Sequence, residues 1–520
     1  MTKKDISTIR LSTEDNVIVA LRDLEPGDQI EAEKISTRDK VPSGHKVATD
    51  GIKKGEYIYK YGQIIGIATM DIQPGEHVHT QNLDMSDFNR DYAAGLDAKP
   101  TDFVPEPEQA RFDGILREDG RVATRNYIGI LPSVSCSASL CRYIADAFTQ
   151  EILADYPNVD GVVGLTQTSG CGCAGYGEGF EILQRSLAGY ARHPNFWGIV
   201  FVGLGCEVNQ LDLMFANTGL ETHSRLHAFT IQETGGTQAS IKKGVDRIKE
   251  MLPEANRVKR QPVSAANLVL GMECGGSDAY SGITANPAMG AAADLLVRNG
   301  GTAILSETTE IYGAEHLLTR RAKDTETANK LIDLIHWWED YTKKHGAMIN
   351  NNPTPGNKAG GLTTILEKSL GAVSKGGSTS LMEVCRYAET VQSKGLVFMD
   401  TPGYDLASIT GMIAGGANII CFTTGCGTVL GFKPTPVIKI ASNTAMYERL
   451  SGDMDINCGV IADGESSLEE TGEMIFEKIL ETASGKPTKS EIVGYGDNEF
   501  IPWHIGAVVQ NYHYFKLREG

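Results

Sequence analysis

The sequence predicts a mixed α/β protein: a small all-β N-terminal domain over residues 1–85, a linker over 86–111, and two α/β domains with mainly parallel sheets over 112–258 and 259–520. Three observations predict it. Short alternating segments broken by Pro-Gly turns fill the first part of the chain. Beyond Phe112, continuous apolar runs alternate with helical patterns. The 520 residues, 41% hydrophobic and 22% charged, suffice for two to four globular domains.

The turns come first. Leu24-Glu-Pro-Gly-Asp, Ile52-Lys-Lys-Gly-Glu and Ile72-Gln-Pro-Gly-Glu lie near the alternating segments NVIVAL, EYIYKYG and IIGIAT, a pattern of short antiparallel strands. Between Ser86 and Arg111 the periodicity dissolves into a polar, Pro-bearing linker. From Phe112 the runs YIGILPS, GVVGLTQT, WGIVFVGLG, NLVLGME, GGTAILSET, GLVFMDT and ANIICFTTG alternate with helices, as parallel strands covered on both faces do. The polar stretch LPEANRVKRQPVS (252–264) marks the seam between the two α/β domains.

Composition excludes several function classes. A formal charge of −18 and the absence of a basic stripe argue against nucleic-acid partners and anionic membranes. Trp197–Leu204 and Ala417–Phe422 are too short to span a bilayer, and the opening MTKKDISTIR has no signal-peptide apolar region, so a soluble, cytoplasmic protein is expected. Ten cysteines without a secretory signal read as reduced thiols or metal ligands.

Three strand ends run into Gly-flanked cysteines: Cys171 in TSGCG, Cys206 in GLGCE and Cys274 in MECGG. Ligands of parallel sheets bind at the carboxyl ends of the strands. Three thiolates without a fourth suit an open metal site, either an iron–sulfur cluster with one free iron or a single ion with an added His or carboxylate. Cys421, inside NIICFTT, reads as buried core. No CxxC pair supports structural zinc. The GxGxxG of residues 170–175 has its next strand-end acid, Glu207, well beyond the roughly 20 residues a dinucleotide site requires.

Cations among small polar residues, Arg121, Arg125, Lys358, Lys433 and Lys439, are candidates to grip an anion. His45 on the PSGHKVA turn is a stronger proton-transfer candidate than His79, and Glu307, Glu310 and Asp400 at strand ends are placed to ligate metal or move protons. The polar loop ECGGSDAYSGITANP after an apolar run marks a site.

The phrases GHKVA (44–48), DGRVATRNY (119–127), PNVDGVVGL (157–165), GLGCE (203–207), ECGGSDAYSGITANP (273–287), NPTPGNKAGG (352–361), TPGYD (401–405) and DMDINCG (453–459) together resemble the altronate/galactarate dehydratase family over nearly the whole chain. The resemblance implies a β-clip (SAF) N-terminal domain and metal-assisted loss of water from a sugar acid. The expected metal is iron, as Fe2+ or an open iron–sulfur cluster, with Mn2+ or Zn2+ as alternatives. It also implies a small-molecule sugar-acid substrate, and a homo-oligomer is compatible with it.

Within that frame the expected roles are proton transfer for His45, Lys433 and Glu307, and metal binding for Cys171, Cys206 and Cys274. Substrate contacts are expected from Arg125, Asn126, Ser277, Asp278, Thr284, Asn286, Lys358, Thr424 and Gly425. Where the family commonly reads TGRG this chain has Thr424-Gly425-Cys426-Gly427, so a cation is missing near the substrate. An altronate-type aldonate, galactarate, a sulfo-hydroxy acid cleaved by a sulfo-lyase, and a non-enzymatic iron or redox sensor remain the alternatives.

Overall fold

The computed structural model describes residues 7–85 and 90–506. The N-terminal domain is all β. Antiparallel strands Thr8–Ile9, Val17–Ala20, Lys46–Ala48 and His77–Val78 form one sheet, and Tyr57–Lys60, Gln63–Ala68 and Leu83–Asp84 form another. The Pro-Gly turns do what their residues require. Gly75 has φ +87°, and a Cβ there would fall 2.0 Å from the Ser36 carbonyl oxygen, so only glycine fits.

Residues 86–89 of the expected linker lie outside the described residues. Residues 90–110 run along the C-terminal domain: Gly95 N donates to Thr319 O (3.0 Å), Val104 N to Arg298 O (2.7 Å) and Ala110 N to Asn299 Oδ1 (2.8 Å). A three-stranded antiparallel sheet follows, in which Arg111–Leu116 pairs with both Val122–Ala123 and Arg260–Ser264.

The two α/β sheets are parallel throughout. In the first, the strand order is Gly161–Gly164, Tyr127–Pro132, Phe196–Gly203, Leu226–Thr230. In the second, the order is Leu381–Cys385, Gly395–Met399, Thr302–Leu305, Val269–Cys274, Ile419–Thr424, Val437–Ala441, Ile456–Asn457. Each order reverses once. The reversal in the first sheet lies between Tyr127–Pro132 and Phe196–Gly203, and in the second between Val269–Cys274 and Ile419–Thr424. Loops diverge at such switch points and leave a crevice beyond the strand ends.

The sheets share a core. Helix Glu178–Ala191 packs on helix Asp405–Ala414 so closely that a Cβ at Gly189 would sit 2.3 Å from Ala414 O. Tyr190, Phe500, Trp338 and Trp503 are buried in that interface. Among the described residues, no helix is long and apolar enough to cross a membrane.

Helix Ile365–Val373 starts where Thr364 accepts a hydrogen bond from Glu367 N, and all nine of its residues are buried. Its charged members therefore require partners. Lys46 and Lys60 of the N-terminal domain reach Glu367 at 2.9 and 2.8 Å, and Lys46 also donates to Gly361 O at 2.7 Å. Burial pushes the Lys46 ammonium down to about 8. Burial opposes charge on Glu367 as well, but its two ammonium neighbours override this and hold its carboxyl well below the usual range. This ion triad fastens the N-terminal domain over the second sheet.

Candidate functional site

The crevice at the switch point of the second sheet has a polar floor. Leaving the strand Val269–Cys274, the chain passes Gly275, Gly276 (φ +62°), Ser277 and Asp278. Gly425 N and Cys426 N, from the neighbouring strand's loop, both donate to Gly276 O, at 3.1 and 3.0 Å. Asp278 is buried and accepts from Ser281 N (2.8 Å), Ser281 Oγ (2.9 Å), Ser442 Oγ (2.9 Å) and Asn443 Nδ2 (3.0 Å). A Cβ at Gly425 would lie 2.3 Å from Asp278 Cγ, so the carboxyl presses directly on that backbone. Ser277 Oγ is buried with no hydrogen-bond partner among the described residues.

The N-terminal domain roofs this floor. Ser43 Oγ and Tyr280 Oη are 2.6 Å apart, and Ala279 N donates to Gly360 O at 2.8 Å. His45 Nε2 lies 3.1 Å from Ala359 O. A carbonyl only accepts, so Nε2 carries the proton and Nδ1 keeps its lone pair, 3.0 Å from His77 Nε2. The rings of His77, on the strand His77–Val78, and of His79, just past its end, stack with centroids 5.5 Å apart, and His79 Nδ1 is buried without a partner among the described residues. Ligand atoms of His45, His77 and His79 all lie within 4.8 Å of one another. Burial pushes all three imidazoles down, His77 to about 4 and His79 to about 3, with further contributions from one another and Lys46. The trio is neutral at neutral pH.

Beneath the floor is a buried charged cluster. Cys274 Sγ is 3.7 Å from both Glu307 Oε2 and Glu310 Oε2. Lys375 donates to Glu307 at 3.0 Å and Lys368 to Glu310 at 2.7 Å. Glu273 accepts from Ser408 Oγ at 2.7 Å, while Glu273 Oε1 and Glu307 Oε1 are unpartnered among the described residues. Burial, then the Glu307 charge, raises Glu273 far above the carboxylate range. Burial, then Glu310, raises Glu307. Asp405, half-buried at the start of its helix, is pushed up to about 7 by burial and by Glu307 and Glu310. A Cβ at Gly275 would fall 2.4 Å from Asp405 Oδ2, so Asp405 adjoins the floor. Four carboxyls face two lysines; burial and its acidic neighbours favour the protonated form of Glu273, while Asp405, pushed up to about 7, stands near the midpoint of its titration at neutral pH.

The expected site residues divide by location. His45, Ser277, Asp278, Gly425 and Glu307 gather at this crevice with Thr424, whose Oγ1 accepts from Gly427 N at 3.0 Å. Lys358 is half-exposed on the short helix Pro355–Ala359 beside them. Thr284 and Asn286 are buried and bound internally, Thr284 Oγ1 to Ser442 O (2.6 Å) and Asn286 to Thr423 (2.6 Å) and Gly371 O (3.0 Å). Arg125, expected to grip a substrate carboxylate, grips Glu491 at 2.6 Å and also donates to Thr482 O. Asn126 binds Asn158 O and Ala255 O. Lys433 pairs with Asp497 at 2.7 Å.

The three expected thiol ligands do not share one set of neighbours. Cys274 belongs to the buried carboxyl cluster, whereas the exposed Cys171 neighbours Cys136 and Cys206 at the first sheet's switch point. Cys421 is buried in its strand.

Three sequence families match in chain order: the altronate/galactarate dehydratase SAF domain over residues 6–86, the D-galactarate dehydratase/altronate hydrolase second domain over 114–256, and the D-galactarate/altronate dehydratase C-terminal domain over 265–508. The chain belongs to the D-galactarate/altronate dehydratase family. It is 35% identical to the altronate dehydratase of Bacillus subtilis (strain 168) over 502 residues, 95% of this chain and 97% of that protein. It is 36% identical to the galactarate dehydratase (L-threo-forming) of Escherichia coli (strain K12) over 486 residues, 92% and 93% of the two chains. The (2R)-sulfolactate sulfo-lyase subunit beta of Chromohalobacter salexigens is 29% identical over 395 residues, 75% of this chain and 96% of that subunit.

For this dehydratase, a resident cation has a fitting donor set in the neutral histidine trio. The Ala359 carbonyl fixes the His45 tautomer, as outer partners of metal-bound histidines do. The carboxyl cluster brings together two further sets of donor atoms, Cys274 with Glu307 and Glu310 and Glu273 with Glu307 and Asp405, but there Lys368 and Lys375 already pair with Glu310 and Glu307. Sequence reasoning missed His77, Asp405, Glu273 and Lys375. The His-Val-His spacing was the available signal for the trio; Asp405 lay unremarked in the TPGYD phrase.

Proposed function

We propose that this protein dehydrates a sugar acid, an altronate-type aldonate, to a 2-keto-3-deoxy acid and water in the roofed crevice. The carrying observation is what the floor meets at its two ends: a Cβ at Gly275 would fall 2.4 Å from Asp405 Oδ2, and Ala279 N donates to Gly360 O, next in the chain to the Ala359 carbonyl that faces His45. Four residues of chain separate the two ends of the floor, so they are no more than about 14 Å apart, a span suited to an open-chain acid.

A metal held by His45, His77 and His79, iron in preference to Mn2+ or Zn2+, would polarise substrate oxygens beside the reacting carbons. In this reading His45 ligates and does not move protons. Lys358 holds the C1 carboxylate by charge. Ser277 Oγ, unpartnered, binds a hydroxyl, and the backbone at Gly425, pressed by Asp278, shapes the space beside it. Asp405 as carboxylate takes the C2 proton and delivers it to the C3 hydroxyl, which leaves as water. The resulting enol gains a proton at C3 and becomes the keto acid. A side chain with a value near the working pH is suited to both transfers.

The test is a panel of aldonates, aldarates and sulfolactate with the purified protein, scored for 2-keto-3-deoxy acid and for sulfite. Turnover of altronate above galactarate is expected. Turnover of galactarate alone would replace the aldonate with an aldarate, and sulfite release would make the protein a sulfo-lyase.

A further inference from the structure

The first α/β sheet has a switch-point crevice of its own, and the mechanism above leaves it unused. Its three diverging loops each bring a thiol. Cys136 is the second residue of helix Ser135–Ala145 after the strand Tyr127–Pro132, Cys171 follows the strand Gly161–Gly164, and Cys206 follows Phe196–Gly203.

The loops are laced together by main-chain and buried polar contacts. Ser135 N donates to Ser169 O (2.8 Å), Asn209 N to Gly170 O (3.1 Å), Asn209 Nδ2 to Ser133 O (3.0 Å) and Ser133 Oγ to Glu207 Oε1 (2.7 Å). Gly170, at φ +93°, lies where a Cβ would be 2.4 Å from Ser133 O, so the Cys171 loop is drawn against the Cys136 loop. The thiols then come together: Cys171 neighbours both Cys136 and Cys206. Gln232 Nε2 donates to Cys206 Sγ at 3.4 Å, and Gln167 Nε2, on the Cys171 loop, is buried without a partner among the described residues.

All three thiols are exposed, which is unusual for unpaired cysteines unless chemistry uses them. Their three sulfurs do not all lie within 4.8 Å of one another. One tetrahedral ion with metal–sulfur bonds of about 2.3 Å requires closer sulfurs than that, whereas a cluster binds each sulfur to a different iron.

We infer that Cys136, Cys171 and Cys206 ligate a [4Fe–4S] cluster, with its fourth iron free of protein thiolate. This site is separate from the histidine trio and does not depend on the dehydration reading. Soft thiolates at a Gly-rich, cation-poor loop favour such a cluster over a hard ion.

The experiment is anaerobic isolation of the full chain, reconstitution with ferrous iron and sulfide, and measurement of iron, acid-labile sulfide and the electron paramagnetic resonance of the dithionite-reduced protein. About four irons and four sulfides per chain are expected beyond any histidine-bound metal. Cys136→Ser, Cys171→Ser and Cys206→Ser together should remove the sulfide and the signal while thermal unfolding is unchanged. His77→Ala should leave both in place, so failure of the dehydratase assay and failure of the cluster are read separately. Iron without acid-labile sulfide, full sulfide retention in the triple variant, or a Cys136–Cys171 disulfide after anaerobic isolation would overturn the assignment.

Discussion

The two switch-point crevices obey one topological rule and differ in what covers them. Over the second sheet, the N-terminal domain shuts out water, and the groups beneath are correspondingly perturbed: neutral histidines, protonated carboxyls, and lysines locked to acids. At the first sheet's crevice the thiols of Cys136, Cys171 and Cys206 stand exposed. A low-dielectric site shifts proton affinities and suits elimination chemistry. An open site leaves soft ligands free to take up iron and sulfide. The difference is made by a roof attached from elsewhere in the chain.

The sharpest way to break that contrast is to loosen the roof. Glu367→Gln leaves Lys46 and Lys60 buried without their counter-charge and should lower stability by roughly 3–5 kcal/mol, as removal of one partner of a buried pair does. Urea unfolding checks the stability, and activity should fall with it as the histidines gain water. An unchanged midpoint would mean that the triad does not hold the roof.

The next effect is confined to chemistry. Asp405→Asn should reduce kcat by about 10²- to 10⁴-fold. The folded value of about 7 lies above the usual 3.8, so the ionised form that accepts the C2 proton is present above pH ~7 and lost as pH falls through it. The rate of the parent protein should therefore rise with pH through about 7, and the residual rate of the variant should lack that limb. A limb that survives in the variant belongs to another group. The smallest effect belongs to the open crevice: Cys171→Ser should move stability by no more than about 0.5 kcal/mol, because an exposed thiol packs against little. A larger loss would show the two crevices to be equally structural.

Much of the architecture was legible in the residues. Apolar runs such as WGIVFVGLG and NIICFTT became parallel strands buried along nearly all of their length, and the turn phrases became tight turns with Gly27, Gly55 and Gly75 at positive φ. His45 was legible from its Gly-marked turn. Cys274 was grouped with Cys171 and Cys206 because all three have the same strand-end context, and that context does not say which sheet a strand joins. Cys136 carries no flanking glycine and sits in the first turn of a helix, so nothing local distinguishes it. Glu367 reads as an ordinary helix acid in TTILEKSL; its burial is decided by two lysines some three hundred positions away. Arg125 shows the reverse error, a cation in a Gly-rich phrase whose partner, Glu491, is a distant structural carboxylate.

The Lys46–Lys60–Glu367 triad also bears on how such a molecule can be encoded. Two cations on one side of a junction and one anion on the other, in a socket closed by Gly361 O and Thr363, form a matched address. If the gene were divided after the N-terminal domain, each product would carry its half of that address. Neither half would have a reason to bury its charges alone, so docking would be selective for the cognate piece, and the roof would be delivered as a subunit.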